Sequence, residues 1–294
     1  MKSLFKYIFI SFVVLAFAVV VRAEEQNKVR DSVNFGYSFQ AGDTLIYRAV
    51  STDSILVNYT NPLIKKRYEK YRVVCDSVSA DKHFFINITM IEYVSYESQD
   101  KQKNIRNVSN PWLGRTAYIE IDRQGNRYSY AIDDSTRACN ASGGAFQPYM
   151  FFPLGATLKA VKDSWLITSH EFLPENGSTI PDAGHSVLFM VKPNIDTLNH
   201  KCTHIQFEKT GRGRNHLITN DEQIAVSAIL NGGGRIYLSK EYDVPVYFNY
   251  GQQQRIQMAV PNKPDVPVMH LQTTDWNLEK FNRIKEVKTK KKNK

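Results

Sequence analysis

The residues best placed to do chemistry are His200, Cys202 and His204, at spacing i, i+2, i+4. On a strand all three point to one face, opposite Thr203, Ile205 and Phe207. Successive members stand about 7 Å apart, so adjacent ones could share a zinc or copper ion, while His200 and His204 alone could not. A tight site needs a further ligand from another strand. Gln206 and Glu208 continue the same face, which also fits an ordinary polar exterior. A second constellation, Gly211-Arg212-Gly213-Arg214-Asn215-His216, could hold phosphate or sulfate through backbone amides and guanidinium groups. No strand-loop-helix fingerprint precedes it, so the default expectation is a hairpin tip with solvated arginines.

Catalytic signatures are otherwise missing. Asp43-Thr44 and Asp163-Ser164 suggest the paired carboxylates of an aspartic protease, but that chemistry needs glycine next, where Leu45 and Trp165 stand. The simpler reading is an aspartate satisfying backbone donors at a strand start. There is no Gly-x-Ser-x-Gly elbow and no cysteine-protease signature. The reading is therefore non-catalytic with no cofactor, and the rival is a hydrolase or a metal-dependent enzyme using His200, Cys202 and His204.

One apolar segment stands out: Phe146-Gln147-Pro148-Tyr149-Met150-Phe151-Phe152-Pro153-Leu154. Two prolines each remove a ladder donor, so it cannot be a central strand. It is either a plug across a seam or a hydrophobic lip for an apolar ligand or membrane surface. Phe146, Tyr149, Phe151 and Phe152 are the candidate ligand-binding residues at the mouth of such a cavity.

The elements that must position these residues are strands. Phe84, Ile86, Ile88 and Met90 alternate with Phe85, Asn87 and Thr89; Ala117, Ile119 and Ile121, and Val246, Phe248 and Tyr250, repeat the pattern. One face buried and one wet marks antiparallel strands. Turn chemistry is read at Ser79-Ala80-Asp81, Gln124-Gly125-Asn126, Asn231-Gly232-Gly233-Gly234 and Tyr250-Gly251-Gln252. Residues 220–230 read as one short helix capped by Asn220 or Asp221. The expected fold is mostly β: a curved antiparallel sheet, half-open barrel or sandwich, built from two similar halves.

The halves are suggested by an echo at a shift of 120 residues. Asp43-Thr44-Leu45-Ile46 answers Asp163-Ser164-Trp165-Leu166, and Asp76-Ser77-Val78 answers Asp196-Thr197-Leu198. Gly114-Arg115 and Ser129-Tyr130 likewise answer Gly234-Arg235 and Asn249-Tyr250. The expected organisation is a signal peptide (1–23), a linker (24–36), a first β unit (37–156), a second (157–280) and a basic disordered tail (281–294).

The basic head, the apolar run over 7–21 and Val21-Arg22-Ala23 have the order of a secretory signal. The formal charge of +9 is concentrated in that segment and in the lysine-rich tail, leaving the body close to neutral. Nucleic-acid binding thereby loses its main argument. Cys75, Cys139 and Cys202 are too few and too widely spaced for a disulfide framework, and no pair is assigned.

Three motifs carry a resemblance: Gly42-Asp43-Thr44-Leu45-Ile46-Tyr47, Phe152-Pro153 leading to Lys162-Asp163-Ser164-Trp165, and Gly232-Gly233-Gly234-Arg235-Ile236-Tyr237. In this order they resemble a family of uncharacterised exported β-rich proteins of bacterial envelopes, over residues 37–280. The chain departs at Lys162, where glycine is usual, and at Asp243-Val244-Pro245. In outline such proteins are similar to half-open-barrel lipoprotein carriers, whose curved sheet shelters an acyl chain. The signal-like start implies an exported protein, periplasmic or extracellular, with a peripheral place at the outer membrane as one option; no later stretch is long and apolar enough to span, so no transmembrane helix is expected after signal cleavage. The partner implied by the resemblance is a lipid or amphiphile; the alternative is a structural or assembly component bound to another envelope protein.

Overall fold

The computed structural model describes residues 35–110, 112–132, 150–155, 158–172, 182–219 and 222–283. The first half contains β1 (Thr44–Val57), β2 (Leu63–Val78), β3 (Phe84–Gln99), β4 (Gln102–Asn107), β5 (Thr116–Ile121) and β6 (Arg127–Ile132). The second contains β7 (Ser164–Phe172), β8 (Asp182–Thr197), β9 (His200–Thr219), β10 (Glu222–Ser239), β11 (Pro245–Ala259) and β12 (Val266–Asn282). All pair antiparallel in one sheet, in the order β6-β5-β3-β2-β1-β12-β11-β10-β9-β8-β7, with β4 on the side of β3. The sheet is curved and not closed into a barrel, and the described residues contain no helix. The expected fold class therefore holds. The signal segment and most of the basic tail lie outside the described residues. β12 runs through Asn282, past the expected end of the second unit.

Period-2 burial fixes the inner face. On β1 it carries Leu45, Tyr47, Ala49, Ser51 and Asp53, all fully or almost fully buried. With no second layer, the sheet curls so that this face packs on itself and on two non-strand segments. Residues 35–39 supply Phe35, Tyr37 and Phe39, and residues 150–154 supply Met150, Phe151, Phe152 and Leu154. The two segments are tied together, because the Tyr37 hydroxyl donates to the Phe152 carbonyl (3.0 Å) and accepts from the Phe152 amide (2.8 Å). Both also dock on the β5–β6 turn. The Tyr37 amide donates to Arg123 O and the Leu154 amide to Gln124 O, each at 2.7 Å. Gly125, in the left-handed region at φ 82°, lets that turn approach so closely that a Cβ would stand 2.3 Å from Phe152 O.

The two strand starts carrying the Asp-Thr/Ser echo have matching geometry. Asp43 Oδ2 accepts from the Gln40 amide at 2.9 Å, and Asp163 Oδ2 accepts from the Ala160 amide at 2.8 Å. The preceding residues, Gly42 (φ 88°) and Lys162 (φ 77°), are both left-handed, and each donates its amide to the neighbouring strand, to Cys75 O and Val191 O. Lys162 thus holds a conformation that favours glycine. As expected, these aspartates serve backbone donors. The echo is less regular elsewhere: Gly114 lies in the loop before β5, whereas Gly234 lies within β10.

Two sequence expectations are corrected. The helix expected over 220–230 is strand from Glu222 onward. Ala225, Ser227 and Ile229 are exposed while Ala228 and Leu230 are buried, and pairing with both neighbours overrides the apparent cap. The glycine motifs at 211–213, 232–234 and 251 are not turns; they lie inside β9, β10 and β11. Gly233 stands opposite Gly251, and Gly211 opposite Leu230. A Cβ on Gly234 would lie 1.8 Å from Asn249 O, and one on Gly232 2.6 Å from Gly251 O. Neighbouring backbones approach too tightly here for side chains, the use of glycine that lets a sheet bend sharply. The turns at Ser79-Ala80-Asp81 and Gln124-Gly125-Asn126 occur as read.

Gly234→Ala should therefore destabilise the protein by about 1–3 kcal/mol in denaturant unfolding. Gly251→Ala, whose Cβ would meet nothing closer than 3.8 Å, should cost no more than about 0.5 kcal/mol. Equal costs would show that the glycine row does not set the bend.

Candidate functional site

Two features of the inner face stand out: a cavity where the ends of the sheet approach one another, and a buried polar layer near its middle. The cavity, about 300 Å³, is walled on one side by Ile88 of β3 and Ile119 and Ile121 of β5. On the other side are Ile167 of β7 and Val187 of β8, with Phe151 and Phe152 between the walls. Edge regions remote in sheet order thus meet around one space, as the curl requires. Phe152 packs at 5.2 Å on Phe207 and 5.8 Å on Phe248, while Phe151 meets Tyr37 and Phe39 edge-on at 5.4 Å each. The segment therefore both fills the curl and lines what space remains. Arg127 of β6 borders the cavity, as do two deeply buried ionisable side chains, His185 and Lys209, at 2% and 6% relative exposure. They mark one wall of a mostly apolar space with polarity, the usual composition of a small-molecule site. Of the candidate ligand-binding residues, Phe151 and Phe152 line this cavity. Phe146 and Tyr149 lie outside the described residues.

The polar layer forms because the inner-face residues of the central strands change from apolar to polar along their length. Ser51 and Asp53 follow Ala49 on β1, and Arg67 and Glu69 precede Tyr71 on β2. His270, Gln272 and Thr274 precede Trp276 on β12, and Gln252 and Gln254 follow Tyr250 on β11. Charges this deeply buried must be paired. Arg67 Nε and Nη2 donate to the two Asp53 oxygens (2.7 and 3.3 Å), and Nη1 donates to Glu69 Oε1 (2.7 Å). Tyr71 OH donates to Glu69 Oε2 (3.1 Å), and His270 Nε2 donates to Asp53 Oδ1 (2.8 Å). Ser51 meets Thr274 at 2.9 Å and Gln252 Nε2 donates to Gln272 Oε1 at 2.6 Å, continuing the layer. Burial alone would raise the Asp53 pKa, but the His270 hydrogen bond and the Arg67 charge outweigh it and hold the carboxyl below 3.8. Burial likewise opposes the Arg67 charge, and the two carboxylates more than offset it, so its pKa rises. The layer is a satisfied ion-pair network.

His200, Cys202 and His204 lie on β9 with the alternation the sequence implies, since Thr203, Ile205 and Phe207 are buried on the opposite side. Each of the three has its own neighbours. His200 faces the Tyr242 ring (5.7 Å), His204 the Tyr237 ring (5.0 Å), and the Cys202 thiol donates to His200 O (3.5 Å). Opposite Cys202 stand Ser239 on β10 and Ile195 on β8. Burial pushes its thiol pKa up to about 11, away from the thiolate a metal needs. Among the described residues no three His, Cys, Asp or Glu side chains converge as metal ligands. Cys75 and Cys202 are buried free thiols, and Cys139 lies outside the described residues. No described helix is long and apolar enough to cross a membrane.

No protein-family model matches the chain, and no curated protein matches it. Among solved structures, a similar chain is a Bacteroides fragilis protein of YmcC-like fold, itself named only as a presumed exported protein. It shares 12% identity, with 85% of this chain and 100% of that one covered, at a TM-score of 0.28. The likeness to lipoprotein carriers gains nothing from these comparisons.

Arg67→Met should cost about 3–5 kcal/mol, because it leaves Asp53 and Glu69 buried without their counter-charge. The lowered Asp53 pKa gives a pH signature. Its stabilisation is present above pH 3.8, the unfolded value, and is lost as pH falls through the lower folded value. Thermal unfolding between pH 5 and pH 2 (roughly the span of that titration) should therefore show a smaller loss for Asp53→Asn than for the unmodified chain. An equal loss would remove Asp53 as the cause.

Proposed function

We propose that this chain is an exported, non-catalytic protein of a bacterial envelope that holds the apolar part of a lipid or other amphiphile within the curl of its sheet. The observation that carries the reading is the cavity between β3, β5, β7 and β8, lined by Phe151 and Phe152. Its volume of about 300 Å³ is at the lower end of the range for small-molecule sites. Isoleucine and phenylalanine walls favour a hydrocarbon chain, since each methylene transferred from water contributes about 0.8 kcal/mol. The buried Lys209 and His185 beside it suit the polar end of an amphiphile better than a pure hydrocarbon. Export is supported by the signal-like order of the first residues. The matching strand starts at Asp43 and Asp163 further support two halves derived from one duplicated β unit.

Native mass spectrometry of the protein purified from its own host envelope, followed by solvent extraction, tests the proposal. A bound amphiphile is expected on the unmodified chain. Ile119→Trp, which fills the cavity from the β5 side, should remove it while leaving a folded protein by circular dichroism. Protein of bare mass throughout would overturn the proposal, as would an amphiphile retained unchanged by Ile119→Trp.

A further inference from the structure

Apart from the interior cavity, a hollow of about 860 Å³ lies over β9, β10 and β11 on the described surface and is bordered by three arginines, Arg212, Arg214 and Arg255. The Gly-Arg-Gly-Arg motif is not a hairpin tip. It lies inside β9, and strand alternation turns Arg212 and Arg214 to the outward face while Gly213 faces inward. Register supplies the third guanidinium. Ile229 of β10 pairs with Arg212 on one side and with Arg255 of β11 on the other. Arg212 and Arg255 therefore flank one exposed isoleucine, their Cα atoms roughly 10 Å apart, with Arg214 about 7 Å along β9 from Arg212. Side chains as long as arginine can converge on one small anion from these positions.

Two further observations point to a ligand. The residues lining the hollow include no aspartate or glutamate. In addition, no hydrogen bond or ion pair engages Arg212, Arg214 or Arg255 among the described residues, whereas Arg48, Arg67 and Arg283 all hold carboxylates. Like charges on neighbouring strands repel; Asp182 of β8 stands opposite Arg214 in register but does not line the hollow, and Arg212 faces Gly184 and Ile229. Ser227, which pairs with Arg214, adds a hydroxyl to the lining, and Tyr59 of the β1–β2 turn adds a phenol. We infer that this outward hollow is a phosphate-binding site in which Arg212, Arg214 and Arg255 together grip one phosphoryl group. Planar guanidinium forks match phosphate oxygens bidentately, and three of them supply more donors than a singly charged carboxylate would use. The site is separate from the interior cavity, and neither depends on the other.

The phosphoryl group can belong to free phosphate or to a phospholipid headgroup, and two probes separate these sources. Inorganic phosphate is titrated calorimetrically into the full-length protein at fixed ionic strength. In parallel, the protein is sedimented with vesicles of phosphatidylcholine alone or mixed with phosphatidylglycerol. Binding in the titration assigns free phosphate as a ligand; binding confined to the mixed vesicles assigns the headgroup. In either case Arg212→Gln/Arg255→Gln should weaken binding on the order of tenfold or more, as expected for loss of charge-assisted hydrogen bonds. Lys101→Gln/Lys103→Gln, which removes the same charge from the β3–β4 hairpin, should leave it unchanged. All four positions are exposed, so unfolding midpoints should stay near that of the unmodified chain. The inference is overturned if neither probe binds, or if the lysine variant loses as much affinity as the arginine variant.

Discussion

The pairing of β1 with β12 is the contact on which the rest of the molecule depends. These strands come from opposite ends of the described chain and sit side by side in the middle of the sheet, paired from Thr44↔Asn282 to Val57↔Val268 with one register shift between Ile46 and Tyr47. Without this ladder the strands of the first and second halves would form two separate sheets, each with one apolar face and nothing to cover it. The inner face fastens the ladder with polar contacts, Ser51 to Thr274 and Asp53 to His270. At the end of β12 Arg283 grips Asp43 and the Ser38 carbonyl. Loop-closure entropy for so distant a pair must be met before any contact rewards it, which places this ladder among the slow steps of folding.

Once the halves are joined, one curved sheet must bury its own inner face. The glycine row through β9, β10 and β11 permits the bend, and the 35–39 and 150–154 segments occupy the space inside. Aromatic side chains suit that task, since a few large rings close the gap between walls that do not touch. Trp276 stacks on Phe248 at 5.1 Å and lies 4.6 Å from Tyr71, linking β11, β12 and β2 across the curve. Trp165 does the same between Phe189 and residue Phe35. Where the rings end, near Ile119 and Ile167, the cavity remains.

The local features of this arrangement were legible in the sequence. Period-2 alternation identified the strands, because burial on one face is a property of each segment alone. The proline-bounded aromatic segment declared itself a non-strand element, and Phe151 and Phe152 of that segment border the interior cavity. The glycines misled because the same residue serves a hairpin turn and a strand bend; only the register of Gly233 opposite Gly251 separates the two. The polar layer was hidden for a related reason. Asp53 and Arg67 look like wet-face residues by type, although Ser51 and Asp53 keep the same parity as Leu45, Tyr47 and Ala49. That parity was the available signal, and it implied buried charge.

Arg255 carried no sequence signal at all, since its meaning depends on a neighbour two strands away. The same dependence separates the two faces of this sheet in chemical character. Inside, Arg67 is matched atom for atom by carboxylates, because an unmatched buried charge costs about 3–5 kcal/mol. Outside, Arg212, Arg214 and Arg255 make no ion pair among the described residues, which water tolerates at little cost to stability. Stability therefore accounts for the pairing of the inner arginine and gives no reason for the clustering of the outer three. A fold that requires only solvated residues at those positions leaves their charge free to serve a ligand.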